Sequence, residues 1–322
     1  MTFKTNWEKS EVRHQLPTGI IERMINSAYP GKQLGLSQII AGGCANLNVK
    51  IQLENEESLL ILRIHLRDKK SAILEKNIGN LLKNVLPVPQ ILYIGNIDNY
   101  CFSVSEFMPG IPLRDLLLSK TPHGLETIMY EVGMALSKIA AHKFPKTGFF
   151  NENLEIVEEL GDDSLKSFSL SCLEHEGVKK YLSHEMIVKI KSLLESLPPL
   201  DNLGANLVHA DFDLANILVA EVDGKWKISA ILDWEFAYSG SWLNDVANML
   251  RYAHKMPDGF KIGFLKGLED NNFKLPENWQ SITNQYTLAS LLDSMTRHDL
   301  EICPNIKADL CNLISHVVLE LD

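Results

Sequence analysis

The sequence predicts an α+β chain of two lobes, a small β-rich one followed by a larger, mostly helical one, and three observations carry that prediction. Residues 47–53 and 59–64 read as strands, the first alternating apolar with polar, the second a short apolar run. From Leu113 onward the spacing of apolar residues is mainly helical, and Met108-Pro109-Gly110 breaks the chain between the two textures. At 322 residues the chain is long enough for two modest cores, and the boundary is expected at 107/108.

Each element follows in order. Residues 11–29 predict a lead-in helix, with Ile20, Ile21, Met24, Ile25 and Ala28 at helical spacing and Pro30-Gly31 closing it. Ile39-Ile40 leads into Gly42-Gly43-Cys44-Ala45-Asn46, after which Leu47, Val49, Ile51 and Leu53 form one face of a strand. Residues 54–58 make a polar hairpin loop before the next strand at residues 59–64, so three antiparallel strands open the chain. Helical spacing returns over residues 69–84, with Glu75 on a polar side, and Pro87-Val88-Pro89 stops it. Strands are expected over 90–94 and 100–107 around a turn at Gly95–Asp98. Beyond the hinge, helices are predicted over 126–142 and 177–197, a strand–loop–strand segment over 208–232, and helix again from Asn244 to the end.

Composition narrows the class. No apolar run approaches the roughly 20 residues that span a bilayer, and the first residues lack the apolar stretch of a secretory signal, so a cytoplasmic location and no membrane partner are expected. The five cysteines are odd in number and never form a CxxC pair, which argues for reduced thiols. A net charge of −10 disfavours nucleic-acid partners, whose phosphates are neutralised by Lys and Arg. The charge is uneven: residues 1–107 hold 12 Lys and Arg against 10 Asp and Glu, residues 108–322 hold 19 against 31.

The chemistry sits in Leu207-Val208-His209-Ala210-Asp211-Phe212-Asp213-Leu214-Ala215-Asn216-Ile217-Leu218-Val219. Its apolar ends anchor in a core and its polar centre is presented to a cleft between the lobes. A hairpin then delivers Asp233, 17 residues beyond Asn216. One carboxylate to orient an attacking hydroxyl, and a carboxylate with an amide oxygen to hold hard Mg²⁺ on nucleotide phosphates, is what a phosphotransfer site requires.

This segment resembles the signature H-G-D-x-x-x-x-N followed by D-x-E/D of the aminoglycoside phosphotransferase and choline kinase superfamily, small-molecule relatives of the protein kinases. The resemblance implies a two-lobed protein-kinase-like fold and an ATP- and Mg²⁺-dependent transfer of the γ-phosphoryl group to an alcohol group of a small polar or cationic molecule. It implies Asp211 as catalytic base and Asn216 and Asp233 as magnesium ligands. On the nucleotide side it implies Gly43 and Asn46 of the glycine-rich loop, Arg63 as the basic residue, Glu75 as the helix glutamate, and a hinge from Glu106 to Met108. The segment Gly240–Asp245 also resembles the family's segment after the metal aspartate. Two departures stand out: Ala210 replaces the usual Gly, and Arg63 stands where kinases typically have Lys, with a guanidinium able to bind phosphates bidentately.

Around that core, paired readings stand. His209 either hydrogen-bonds the loop backbone or Asp233, or transfers protons directly. Glu235 either assists the metal or holds the loop, and Asp245 braces the loop or starts a helix. Asp213 either approaches substrate or magnesium or is an exposed loop carboxylate. Arg63 and Glu75 have ordinary alternatives as a surface salt bridge or a solvated face. The acidic cluster Glu155, Glu158, Glu159, Asp162 and Asp163 suits a cationic acceptor or is a solvated face. Alternatives to an aminoglycoside acceptor are choline, ethanolamine, homoserine or a sugar, and GTP stands beside ATP. A protein kinase is disfavoured because H-R-D, D-F-G and A-P-E are missing. The reading from another class is a nucleotide-binding pseudokinase module.

Overall fold

A computed structural model describes residues 3–8, 16–40, 46–66, 68–121, 124–200 and 203–322. The helix expected over 11–29 occupies Ile20–Ala28 (α1) among these residues; Pro17 and Gly19, at φ 75°, keep residues 16–19 out of it. There follow β1 (Leu34–Ile40), β2 (Leu47–Leu53), β3 (Leu59–His65), α2 (Ser71–Leu82), β4 (Ile91–Ile97) and β5 (Tyr100–Glu106). The five strands form an antiparallel sheet in the order β1-β2-β3-β5-β4.

Alternation decides which face is buried. Val49, Ile51 and Leu53 of β2 and Leu60, Leu62 and Ile64 of β3 face Ile20, Met24 and Ile25 of α1, and together they make the first core. The expected turn at Gly95–Asp98 is tighter, because β4 runs to Ile97 and pairs directly with Tyr100, with Asp98 at φ 53° in the turn. Gly95 serves the strand instead. A Cβ there would come within 2.8 Å of the Phe102 ring. Helix α2 turns Ile78 and Leu82 away from this sheet and into the second core.

Past Gly110 come β6 (Ile111–Pro112), α3 (Leu113–Leu118), α4 (Leu125–Ala140), β7 (Gly148–Phe150), β8 (Ile156–Glu159), α5 (Ser164–Glu174), α6 (Glu176–Tyr181) and α7 (His184–Ser196). Then follow β9 (Asn206–Val208), β10 (Ile217–Val222), β11 (Lys225–Ile231), β12 (Tyr238–Gly240), α8 (Leu243–Leu250), α9 (Asp258–Glu269), α10 (Trp279–Arg297) and α11 (Pro304–Leu321). The helix expected over 177–197 is two, because Ser183 leaves helical geometry and caps the second by accepting a hydrogen bond from the Met186 N–H. Two small sheets, β11-β10-β6 and β8-β7-β12-β9, sit among the helices around one large core.

Candidate active site

Strand β9 ends at Val208 and β10 begins at Ile217, so the polar loop is pinned at both ends by buried residues: Leu207, Val208 and Ile217 are inaccessible to solvent. In the β10–β11 hairpin Ile217 faces Ile231, and the Leu232 N–H continues the ladder to the Asn216 carbonyl at 2.8 Å. That register places Asn216 beside the chain that carries Asp233. Phe212, fully buried between them in sequence, anchors the middle of the loop.

Asp245, in the first turn of α8 and wholly buried, accepts hydrogen bonds from the His209 N–H at 2.8 Å and the Ala210 N–H at 2.9 Å. Burial pushes its carboxyl up to about 7, against the pull of those two backbone donors. It thus ties the loop to the first turn of α8. His209 is fixed by two backbone groups: Nδ1 accepts from the Asp211 N–H at 3.2 Å, so the proton sits on Nε2, which donates to the Leu232 carbonyl at 2.8 Å. Burial holds its pKa below the ordinary histidine value. The imidazole therefore joins the backbone of the 209–216 loop to the residue before Asp233. Trp234 lies against it, ring centroids 4.4 Å apart, with its indole N–H on the Ile231 carbonyl.

Asn216 Nδ2 donates to both the Asp211 carbonyl at 3.0 Å and Asp211 Oδ2 at 2.9 Å. With both acceptors on the amide nitrogen, Oδ1 is left for another partner. Asp233 adopts φ 62°, a left-handed turn that ends the strand. Arg63 donates to Asp233 Oδ1, to Glu75 at 3.0 and 3.2 Å, and to Asn48 Oδ1 at 3.0 Å. Burial works against the Arg63 charge, but Asp233 and Glu75 hold it firmly protonated. Burial pushes Glu75 up to about 7, with Arg63 opposing. Glu75, read as lying on a polar side of its helix, points inward with only 12% of its side chain exposed.

A second link joins the same parts. Asn46 donates through Nδ2 to Glu235 Oε2 at 3.0 Å and accepts the Leu66 N–H at 3.2 Å, so Glu235 holds the start of β2. Gly43 lies outside the described residues. Glu106, exposed at the end of β5, accepts the Gln90 N–H on its side chain at 3.3 Å, and Phe107 to Met108 follow as irregular chain. Asp213 is neither exposed nor free. Its carboxylate, 13% exposed, pairs with Lys4 at 2.8 Å and accepts the Ala215 N–H at 2.9 Å. Burial raises its pKa, but Lys4 outweighs that and the net shift is downward.

Asn46, Asn48, Arg63, Asp211, Asp213, Asn216, Asp233 and Glu235 line one cleft of about 2550 Å³, which reaches on to Arg251, Arg297, Lys4, Thr5, Trp7 and Glu8, whereas Glu75, Glu106, Met108, His209 and Asp245 are not among its lining. Sequence reasoning did not find Asn48, Asn248, Arg251 or Lys4. Asn48 had a signal, since it is the cross-strand partner of Arg63. Asn248 donates to the Ala210 carbonyl at 2.9 Å and accepts from Arg251 at 2.6 Å, a brace one helical turn past Asp245.

The structure is similar to that of a thermostable mutant of aminoglycoside phosphotransferase APH(4)-Ia in ternary complex with AMP-PNP and hygromycin B, at TM-score 0.69 and 18% identity, covering 94% of this chain and 98% of that one. The GDP complex of wild-type aminoglycoside 2'-phosphotransferase-IIIa matches at TM-score 0.65 and 13% identity, over 92% and 97%. Macrolide 2'-phosphotransferase MphH from Brachybacterium faecium matches at 0.62 and 14%, over 92% and 98%. The fold is accordingly two-lobed and protein-kinase-like. No curated protein matches the chain in sequence. The model of the phosphotransferase enzyme family (APH) matches residues 37–282, and with three quarters of its length so matched the chain belongs to the phosphotransferase enzyme family.

Proposed function

We propose that the chain transfers the γ-phosphoryl group of ATP to a hydroxyl of a small polar or cationic molecule, with residues 1–107 as nucleotide lobe and residues 108–322 as catalytic and acceptor lobe. The observation that carries this reading is the clasp of Asp211 by Asn216 beside Asp233, on a loop braced by His209 and Asp245. Asp211, oriented by the Asn216 amide, accepts the acceptor's hydroxyl proton or aligns it for attack. Asn216 Oδ1 and the Asp233 carboxylate offer hard oxygen donors of the kind magnesium takes, and they would hold it. Bound there, the ion supplies charge neutralisation on the phosphate oxygens. Arg63, tied to Glu75 and Asn48, brings a guanidinium to the same place. The hinge from Glu106 to Met108, with the 42–46 loop, would receive the nucleotide base and phosphates; the similar aminoglycoside 2'-phosphotransferase-IIIa bound to GDP keeps GTP beside ATP as donor.

Three of the five acidic residues singled out in the sequence, Glu158, Glu159 and Asp162, border the cleft, which supports a cationic acceptor. The similar structures are aminoglycoside and macrolide phosphotransferases, and they supply the first acceptors to try. Buried free thiols at Cys101 and Cys172 suit the cytoplasm. The test is magnesium-dependent ATP consumption across aminoglycosides, macrolides, choline, ethanolamine, homoserine and sugars. One or more acceptors are expected to stimulate ADP release. Asp211→Asn should cut turnover at least about a hundredfold while nucleotide affinity stays, in keeping with the worth of a positioned base. Stimulation by none of them, with nucleotide still bound, would favour a binding module.

A further inference from the structure

The segment at residues 3–8 reaches the cleft, and Phe3, Lys4, Trp7 and Glu8 find partners in the second lobe. Phe3 is 3% exposed and meets the Tyr252 ring edge-on at 5.7 Å between centroids. Phe3 and Lys4 both have left-handed backbones, at φ 41° and 66°, a conformation that persists only where packing imposes it. Trp7 donates its indole N–H to Asp309 at 3.0 Å, and Tyr252 donates its hydroxyl to the same carboxylate oxygen at 2.5 Å. Glu8 accepts the Asn305 and Ile306 N–H groups at 2.8 and 3.1 Å, closing the first turn of α11. Lys4, Thr5, Trp7 and Glu8 line the cleft that holds Asp211. Between these anchors Lys4 reaches Asp213, two residues from Asp211, with its Nζ 5.5 Å from the Trp7 ring centroid.

We propose that residues 3–8 are a specificity strap on the acceptor side, in which Lys4 fills the Asp213 carboxylate so that an acceptor's ammonium group cannot lodge there in place of its hydroxyl at Asp211. The inference rests on the phosphotransferase reading above, because it gives the strap its acceptor. A carboxylate this close to Asp211 is a decoy for any amine-bearing acceptor. An ammonium seated on it would turn the hydroxyl away and bind unproductively. An internal cation removes the decoy and leaves Asp213 to hold the turn that carries Ala215 and Asn216. Lys4 is thus a positioning and specificity residue that acts through Asp213.

Calorimetric titration of the full chain with spermidine, in the presence of AMP-PNP and magnesium, reads the decoy directly, since spermidine carries ammonium groups and no hydroxyl. Lys4→Met should bind spermidine at least tenfold more tightly than the parent. Lys4→Arg should match the parent, and Asp213→Asn placed on Lys4→Met should abolish the gain. With an amine-bearing acceptor from the screen, Lys4→Met should lower kcat and KM together and leave kcat/KM nearly unchanged, the pattern of unproductive binding and not of a loosened fold. Unchanged spermidine affinity in a Lys4→Met protein that retains its melting temperature and AMP-PNP affinity overturns the proposal, as does a gain that survives Asp213→Asn. Should Lys4→Met fail to fold, Lys4→Gln takes its place under the same criteria. Failure of AMP-PNP to bind the parent would count against the phosphotransferase reading, a result separate from the spermidine comparison.

Discussion

Ala210 holds φ at 68°, a conformation that an L side chain resists by roughly 1 to 2 kcal/mol. The strain is sustained because both the Ala210 N–H and carbonyl are taken, by Asp245 and Asn248. Ala210→Gly relieves it at the expense of a more flexible unfolded chain, and should raise stability by about 0.5 to 1 kcal/mol in chemical denaturation. His65 offers a residue-scale test by pH. It is buried between the Ser71 and Ser103 hydroxyls, and burial, with Arg63 nearby, lowers its pKa to about 4. The unfolded chain takes up that proton first, near pH 6.5, so the stabilisation is complete above that pH and is lost as the pH falls through 6.5 toward 4. Between pH 7 and pH 5 the loss through His65 should be about 2 kcal/mol, and His65→Gln should show a correspondingly shallower slope in pH-dependent melting.

Among the elements, α4 and α9 approach each other through glycines. A Cβ on Gly133 would collide with the Phe264 carbonyl, one on Gly263 with the Glu126 carbonyl, and one on Gly267 with the Tyr130 carbonyl. Because the obstacles are backbone atoms, no side-chain rotation relieves them. Gly267→Ala should therefore destabilise by about 2 to 3 kcal/mol in denaturant titration, where the same change on an exposed helix would stabilise. At this scale the sequence was legible wherever burial has a period. The β2–β3 hairpin, α2, and the β10–β11 hairpin fall where alternation or helical spacing puts them. The strands β7, β8 and β12 have three or four residues each, too few to show a period, and they fall between the predicted helices, where no element was expected. The loop at residues 209–216 was legible for a different reason. The residues proposed for its chemistry are close in sequence, with Asp211, Asn216 and Asp233 inside 23 positions of one another.

For the whole molecule, the first lobe meets the second through Ile78 and Leu82 in the second core and, at the cleft, through polar bridges: Arg63 on Asp233, and Asn46 on Glu235. Arg63→Met should strip Glu75 of its partner while leaving it buried, with a loss of about 2 kcal/mol or more in stability and a large fall in nucleotide affinity by calorimetry. The strap was the least legible part of the site. Lys4 and Asp213 are 209 positions apart, and Trp7 and Asp309 are 302 apart, distances over which no spacing rule speaks. The only hint was a pair of large aromatics, Phe3 and Trp7, in an otherwise polar stretch.

Trp7 also makes the strap visible to light. Its indole is tethered to Asp309 and stands edge-on to His298 at 5.9 Å, whereas Trp234 is 3% exposed and sealed beneath the loop. Of the five tryptophans, Trp7 is the one in the strap, at the wall of the cleft. Trp226, Trp242 and Trp279 are only partly buried as well, so an acceptor that presses on the strap should shift the emission of the parent but not that of Trp7→Phe, and a fluorometer can watch acceptor arrival without waiting for phosphate to move.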